Sequence, residues 1–233
     1  MTHSTDHIAI VTGASRGLGL ATARALADHG WTLIIDARIA DDLFAAKASI
    51  GDEVIAIPGD VSDAEHRQSL IKAAHEAGGL DLLINNASVL GPSPQPNLDS
   101  YPLETLRQVY EVNVLAPLAL IQSALPLLRR RRGTVVNMSS DAAVEAYPGW
   151  GGYGSSKAAL DQMTSILAAE EPSLAVYRFD PGDMNTRMHQ EAFPGEDISD
   201  RPPPEQSVPP LLALIEGRPP SGAYRASDVL LTT

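Results

Sequence analysis

The feature that most narrows the fold of this chain is a glycine-rich stretch, Thr12-Gly13-Ala14-Ser15-Arg16-Gly17-Leu18-Gly19. It stands between a short apolar run at Ile8 to Thr12 and a run rich in Ala and Leu at Gly17 to His29. The first run reads as a buried strand and the second as a helix. Glycines at the mouth of a helix leave backbone N–H groups clear of side chains, which is what a pyrophosphate needs to reach a helix N-terminus. The spacing is GxxxGxG, not the GxGxxG of other dinucleotide folds. A glycine-rich turn can also serve tight packing alone. Placement between strand and helix is what favours the dinucleotide reading, and it makes Gly13, Ser15, Arg16, Gly17, Leu18 and Gly19 candidate cofactor contacts.

The rest of the chain repeats the alternation. Strand-like runs at Trp31 to Asp36, Val54 to Ile57, Asp81 to Asn85, Thr134 to Met138 and Leu174 to Phe179 are separated by helical patterns. These fall at about Asp41 to Ser49, Ser62 to Ala77, Leu103 to Arg132 and Gly154 to Glu171. The third helical pattern opens with Ser62-Asp63-Ala64-Glu65, the spacing of a capping box. Repeated β–helix–β units predict a mostly parallel sheet covered on both faces. The right-handed crossover rule then gives an α/β chain with one Rossmann-like, doubly wound domain over residues 1–233. Within it, about 183–220 is expected to form a substrate loop and a short helix. Pro209 and Pro210 can start that helix, and Leu211, Leu212, Leu214 and Ile215 call for burial.

Charge and composition remove other classes. A formal net charge of −12 argues against nucleic acid as a partner. The basic run Arg129 to Arg132 suits a solvated helix C-terminus. With no cysteine there is no disulfide, thiolate metal site or cysteine nucleophile, and a cytoplasmic location is expected. The polar start, Met1 to His7, has no signal-peptide pattern, and no uninterrupted apolar run is long enough to suggest a membrane span. The histidines at 3, 7, 29, 66, 75 and 189 show no ligand spacing, so no metal site is expected.

Further motifs follow in order: Asp60-Val61 after the third strand, Asn85-Asn86-Ala87, Asn113, Ser139-Ser140, Tyr153-Gly154-Ser155-Ser156-Lys157 and Pro181-Gly182. With the glycine loop, this series resembles the short-chain dehydrogenase/reductase family over about Ile8 to Thr186. The resemblance implies a catalytic set of Ser140, Tyr153, Lys157 and Asn113. It picks Ser140 over Ser139, because the family serine lies thirteen positions before the tyrosine. Tyr153 and Lys157, four apart, share one helix face. The family role of Asn113 is to hold a water that links the lysine to solvent.

The implied chemistry suits these residue types. A carbonyl being reduced takes a hydride on carbon and a proton on oxygen. Tyr153 can give the proton if a nearby ammonium, Lys157, favours the phenolate. Lys157 would also hold the nicotinamide ribose, and Ser140 would hydrogen-bond the substrate oxygen. Asn86, Ala87, Pro181, Gly182 and Thr186 match cofactor-side positions. Asp60 reads either as an acceptor for an adenine amino group or as a turn residue before the next helix. One departure is Ser88, where the family usually has glycine. Serine fits there if its φ is negative.

For cofactor choice, the family's NAD-selective acid falls at Ala37. Asp36 is one step away and points to the opposite side of the strand. Arg38 matches the NADP-selective arginine, and Arg16 can add a second contact to a 2′-phosphate. NADP(H) is therefore expected, with NAD(H) as the alternative. The substrate is expected to be a small carbonyl or alcohol. Val144, Tyr147, Pro148, Trp150, Met184 and Met188 suggest an apolar or aromatic wall, although Trp150 and Met184 could simply pack the core. A homodimer or homotetramer paired through the two long helices is implied by resemblance alone. The reading of another class is a non-catalytic NADP(H)-binding regulator on the same fold, although such proteins usually break the Tyr-Lys pair, which is intact here.

Overall fold

The computed structural model describes residues 7–51 and 53–229. His3 and the rest of the N-terminal stretch before His7 lie outside the described residues.

Strands β1 (Ile8–Val11), β2 (Thr32–Ala37), β3 (Ile55–Pro58), β4 (Leu82–Asn85), β5 (Thr134–Met138), β6 (Ala175–Asp180) and β7 (Gly222–Arg225) form one sheet. Their order is β3-β2-β1-β4-β5-β6-β7, and every pairing is parallel. Side chains alternate across the strands, so each face gets its own apolar set. Ala9, Val11, Leu33 and Ile35 pack with helices α1 (Gly17–Asp28), α2 (Ala40–Ile50) and α8 (Val208–Gly217). Ile8, Ile10, Ile34 and Val135 pack with α3 (Ala64–Ala77) and α5 (Ala116–Arg131), and α6 (Gly151–Glu170) adds Leu167 and Ala168 at the edge. This is the expected Rossmann-like single domain. The order reverses between β1 and β4, and a crevice opens there at the carboxyl ends of the strands.

Several elements differ from the sequence expectation in instructive ways. Helix α3 begins at Ala64, not Ser62. Its cap is Asp63, whose Oδ1 accepts from the Glu65 amide at 2.9 Å, because the Ser62 hydroxyl is already given to Asp60 at 2.7 Å. Helix α6 begins at Gly151, three residues early. Its glycines answer to packing: a Cβ on Gly152 would overlap the Tyr101 hydroxyl, and one on Gly154 would sit 2.6 Å from the Ala142 carbonyl oxygen. Tyr153 thereby falls in the first turn of a helix. Strand β7, Gly222-Ala223-Tyr224-Arg225, has no buried residue and so lacks the apolar run that marks the other strands.

Helix α4 (Leu103–Tyr110) runs through a π turn, Glu111–Leu115, directly into α5. The combined helix, Leu103–Arg131, is long and apolar enough to meet the criteria for a membrane span, but half of its most apolar window is buried inside the protein. The arginines at its end are tied to neighbours: Arg129 pairs with Glu171, and Arg131 donates to the Gly78 carbonyl at 3.0 Å. The proline-rich segment carries a 3-10 turn at Pro204–Ser207 and then α8, whose Leu211, Leu212, Leu214 and Ile215 are buried. Helix α7 (Arg187–Ala192) precedes it.

Candidate active site

A single cleft of about 840 Å³ runs from the glycine loop to the start of α6, and its size suits a dinucleotide or a comparable ligand. At one end the wall is backbone. Gly13 has a φ of +66°, and a Cβ there would come within 2.9 Å of Ala87 Cα. Gly17 has a φ of +55° and faces open space except for the Thr186 methyl at 3.7 Å. A Cβ on Gly19 would overlap the Gly13 carbonyl and the Asn86 amide. The three glycines thus do two jobs: two let the loops after β1 and β4 touch, and Gly17 leaves the helix mouth bare. No side chain caps α1, and its first turn holds no acid. Its first amides therefore have no intrahelical partner and suit an anion.

Side chains brace this loop from behind. Asp36 is 1% exposed. Its Oδ1 accepts from the Gly13 amide at 2.7 Å and its Oδ2 pairs with His66 Nε2 at 2.9 Å. Burial pushes its carboxyl upward, and the bonds from His66 and Gly13 pull back. Thr12 Oγ1 accepts from the amides of Asn86 and Ala87, both at 3.0 Å. Asn86 Nδ2 returns a bond to the Thr12 carbonyl at 2.8 Å. Asp36 thus serves the loop, with both of its oxygens bonded within the protein. His66 has no signal in the sequence that marks it as Asp36's partner; only the fold brings the two together.

Ser15, Arg16, Leu18, Arg38, Asp60, Val61, Ala87, Pro181 and Thr186 line the same cleft. Arg16 and Arg38 are exposed at its far end. Asp60 uses Oδ1 for the Ser62 amide and hydroxyl, the turn role. Burial would raise its carboxyl, but Ser62 and the Arg38 charge hold it below the usual range. Thr186 caps α7 by accepting from the His189 amide at 3.2 Å. Gly182 does not line the cleft; with a φ of +76° it turns the chain, and its amide donates to Asp180 at 3.0 Å.

At the other end the wall is side chain. Tyr153 and Lys157 lie one turn apart on α6, both buried and both on the cleft, with Lys157 Nζ 5.5 Å from the Tyr153 ring centre. Lys157 donates to the Met138 carbonyl at 2.7 Å. Burial lowers its pKa to about 8, and the nearby Asp161 counters part of that fall. Burial pushes the Tyr153 phenol well above its ordinary value. The hydroxyls of Ser140 and Ser88 oppose the shift, and Asp180 and Asp141 add to it.

Ser139 and Ser140 separate cleanly. The Ser139 hydroxyl turns into the core and donates to Asp161 at 2.8 Å. The Ser140 hydroxyl lies beside Tyr153, although the residue is not part of the cleft wall. Its proton goes to Asp141 Oδ1 at 3.0 Å, and Asp141 also accepts from the Tyr147 hydroxyl at 3.0 Å. Asp141 is thus the partner of both the Ser140 and the Tyr147 hydroxyls. Asn113 is buried behind the cleft in the π turn. Its Oδ1 accepts from Ser88 Oγ at 3.1 Å and the Val89 amide at 2.9 Å. Its Nδ2 donates to the Val89 carbonyl at 2.9 Å and Ser156 Oγ at 3.0 Å. All four positions of the amide are filled by protein, so its side chain has none left for the water that the resemblance implies. Ser88 is not among the residues of positive φ, so the family glycine is replaced without backbone strain.

The residues proposed for a substrate wall fall in different places around Tyr153. Met184 and Met188 line the cleft. Trp150 instead supports Tyr153 from behind, with ring centres 5.9 Å apart, and also contacts Phe193 at 5.8 Å. Val144 and Tyr147 are exposed.

Comparison with known proteins agrees with this geometry. A family model described as short chain dehydrogenase matches residues 7–197. Sepiapterin reductase from Mus musculus is 34% identical over 199 residues, covering 78% of this chain and 76% of its own. An uncharacterized oxidoreductase from Schizosaccharomyces pombe is 30% identical over 188 residues, covering 81% of this chain and 75% of its own. Among solved structures, a Shigella flexneri protein described as a short chain dehydrogenase complexed with NADP superposes with a TM-score of 0.89. It shares 29% identity, and the match covers 95% of this chain and 97% of that one. An alcohol dehydrogenase from Thermococcus sibiricus complexed with 5-hydroxy-NADP gives a TM-score of 0.84 at 28% identity, covering 94% and 95%.

Proposed function

The chain belongs to the short-chain dehydrogenase family and is an oxidoreductase of that class, and from this premise we propose that it moves a hydride between NADP(H) and a carbonyl or secondary alcohol, with Tyr153 as general acid and base. The observation that carries the reading is the placement of Tyr153 and Lys157, buried on one helix turn, at the inner end of the cleft that begins at the glycine loop.

The residues fit a nicotinamide dinucleotide. The uncapped amides of α1 suit a pyrophosphate, and a Cβ at Gly17 would intrude there. Asp36, buried and already bonded, is unavailable to ribose hydroxyls, while Arg38 and Arg16 are exposed where a 2′-phosphate would lie. Two structural neighbours that hold NADP or a derivative of it support the same choice. When bound, the nicotinamide supplies or accepts the hydride.

The protein's own work is to place the substrate and manage one proton. In the reductive direction Tyr153 gives its hydroxyl proton to the substrate oxygen; in the oxidative direction it takes that proton back. Burial alone makes the phenol a poor acid, so the Lys157 ammonium is needed to favour the phenolate. With a pKa near 8, Lys157 carries its proton at neutral pH. The Ser140 hydroxyl can serve the substrate oxygen after it turns away from Asp141. Pairing of two copies through α5 and α6 would cover Leu115, exposed on the π turn that leads into α5, and Ile166, exposed on α6.

The test combines binding and turnover. Fluorescence titration should show tighter binding of NADPH than of NADH. A screen of aromatic and aliphatic ketones and aldehydes with NADPH should find turnover. Tyr153→Phe should lower that turnover roughly 10²–10⁴-fold with NADPH binding kept. Binding of neither cofactor, or wild-type turnover in the variant, would overturn the proposal.

A further inference from the structure

Helix α3 adds no residue to the cleft wall, yet two neighbours in its first turn, His66 and Arg67, hold loops that do form it. His66 is 7% exposed. Its Nε2 lies 2.9 Å from Asp36 Oδ2, and Asp36 Oδ1 accepts from the Gly13 amide at 2.7 Å. The same ring fills the space beside Gly59, where a Cβ would come within 2.2 Å of His66 Nδ1. Arg67 donates to the Val61 carbonyl at 2.6 Å. Gly13, in the loop after β1, and Gly59 and Val61, in the loop after β3, all line the cleft.

We propose that His66 is a positioning residue for the cofactor: acting through Asp36 and Gly59, it fixes the spacing between the glycine loop and the loop after β3, and so sets the affinity for NADPH and NADH alike. This rests on the reading of the cleft as a dinucleotide site.

Backbone bonds tie each loop to the end of β2 at one point. The Ala14 amide donates to the Asp36 carbonyl at 2.9 Å, and the Gly59 amide to the Ala37 carbonyl at 3.0 Å. His66 supplies the second point for both. A buried carboxylate needs a partner on each oxygen. With His66 present, Asp36 has them, and the Gly13 turn, at a φ of +66°, is held in place. With Asp36 as acceptor, His66 carries a proton on Nε2. Without His66, Asp36 Oδ2 is bare in the interior. The carboxyl then takes a proton or turns toward water, and either change loosens its hold on Gly13. On the other side, loss of the ring opens room into which the Gly59 backbone can shift.

Asp60 does not replace this link, because its Oδ1 is taken up by the amide and hydroxyl of Ser62 within its own turn. The two loops face parts of the ligand that NADPH and NADH share, whereas Arg38 would meet the 2′-phosphate alone. His66 therefore acts on affinity without choosing between the cofactors, the reverse of Arg38.

The experiment is a fluorescence titration of the full chain with NADPH and with NADH, alongside melting curves. His66→Leu keeps bulk against Gly59 but removes the bond to Asp36. It should weaken both cofactors about tenfold and leave their ratio within about twofold. His66→Gln, whose amide can donate to Asp36, should recover most of that loss. Gly59→Ala drives a methyl into the His66 ring; it should weaken both cofactors in the wild-type background and add little in His66→Ala, where the ring is gone. Leu70→Val, fully buried in the core on the same helix, should lower the melting temperature and leave binding unchanged. Unchanged affinity in His66→Leu, or a His66→Gln no better than His66→Leu, would overturn the inference and leave the proposed function standing. Should His66→Leu not fold, Gly59→Ala reads the same link, and full affinity there overturns it. Equal losses from Gly59→Ala in both backgrounds would place the methyl against the ligand and overturn it too. A loss in Leu70→Val as large as in His66→Leu would reduce His66 to general stability. Binding of neither cofactor by the wild type would instead overturn the proposed function, and this inference with it.

Discussion

The two ends of the cleft are built by opposite means. At the nucleotide end the surface is mostly backbone, exposed because side chains are missing at Gly13, Gly17 and Gly19 and braced from behind by Asp36 and Thr12. At the Tyr153 end the surface is side chain; its hydroxyls and amide are held in bonds that run through Asn113, Asp141 and Asp161, and its ammonium is held by the Met138 carbonyl. The nucleotide end is a rigid template whose supports stabilise the fold. The Tyr153 end keeps a buried ammonium and a buried phenol whose charged forms the interior disfavours. One end adds stability, and the other spends part of it on reactivity.

The largest effect expected from this contrast is at Asp36. Asp36→Ala leaves His66 buried without its partner and the Gly13 amide without an acceptor. We expect a loss of about 3 kcal/mol in urea denaturation, with NADPH binding weakened alongside. A loss well below 1 kcal/mol would show that the Thr12–Asn86 bonds alone hold the loop, and the template would be less dependent on its brace than the geometry implies.

The Tyr153 end predicts the opposite sign. The fall of the Lys157 pKa from 10.5 to about 8 corresponds to about 3 kcal/mol that the folded state gives up by burying the ammonium. Lys157→Met removes that cost but leaves the Met138 carbonyl without its donor, worth about 1 kcal/mol. The variant should therefore be more stable than wild type at pH 7 by about 2 kcal/mol, while losing turnover. Between pH 8 and 10.5 the unfolded chain holds the lysine proton and the folded chain does not, so wild-type stability rises with pH across that window relative to the variant. The variant's advantage should shrink over the same range. A constant difference from pH 7 to 10.5 would mean that Lys157 is not the source.

The contrast also explains which parts were legible in the sequence. The glycine loop could be read because its demand is local: three glycines within seven residues, between a strand and a helix, have few other uses. The sheet could be read for the same reason, from apolar runs such as Ile8 to Val11 and Thr134 to Met138, while β7, Gly222-Ala223-Tyr224-Arg225 with none of its residues buried, carries no such run. Tyr153 and Lys157 were visible through their spacing of four. Their supports were not. Asp36 and His66 are thirty residues apart, Ser139 and Asp161 twenty-two, and Ser88 and Asn113 twenty-five. Nothing local in the sequence pairs them; the fold does. The same holds for the Asn113 amide, whose four partners come from the loop after β4 and from α6.

The smallest effect, and the finest test of the template, is at Arg38. Its guanidinium is exposed at the end of β2, one residue past Ala37 and two past the buried Asp36. A 2′-phosphate there would meet a full positive charge, whereas a 2′-hydroxyl would gain little from it. Exposure weakens the attraction, so the expected loss is modest. Arg38→Ala should weaken NADPH binding roughly tenfold, about 1.4 kcal/mol, and leave NADH within twofold. Added salt should narrow the gap between wild type and variant for NADPH, because the contact lies in water-exposed space. Arg38→Lys should recover only part of the loss, since an ammonium keeps the charge but not the planar paired donors. Equal losses for both cofactors would place Arg38 under the adenine ring instead of at the phosphate. An NADH-specific loss would mean that the ribose meets this strand in a different register, with the Asp60 carboxylate, which already feels Arg38, as the next residue to change.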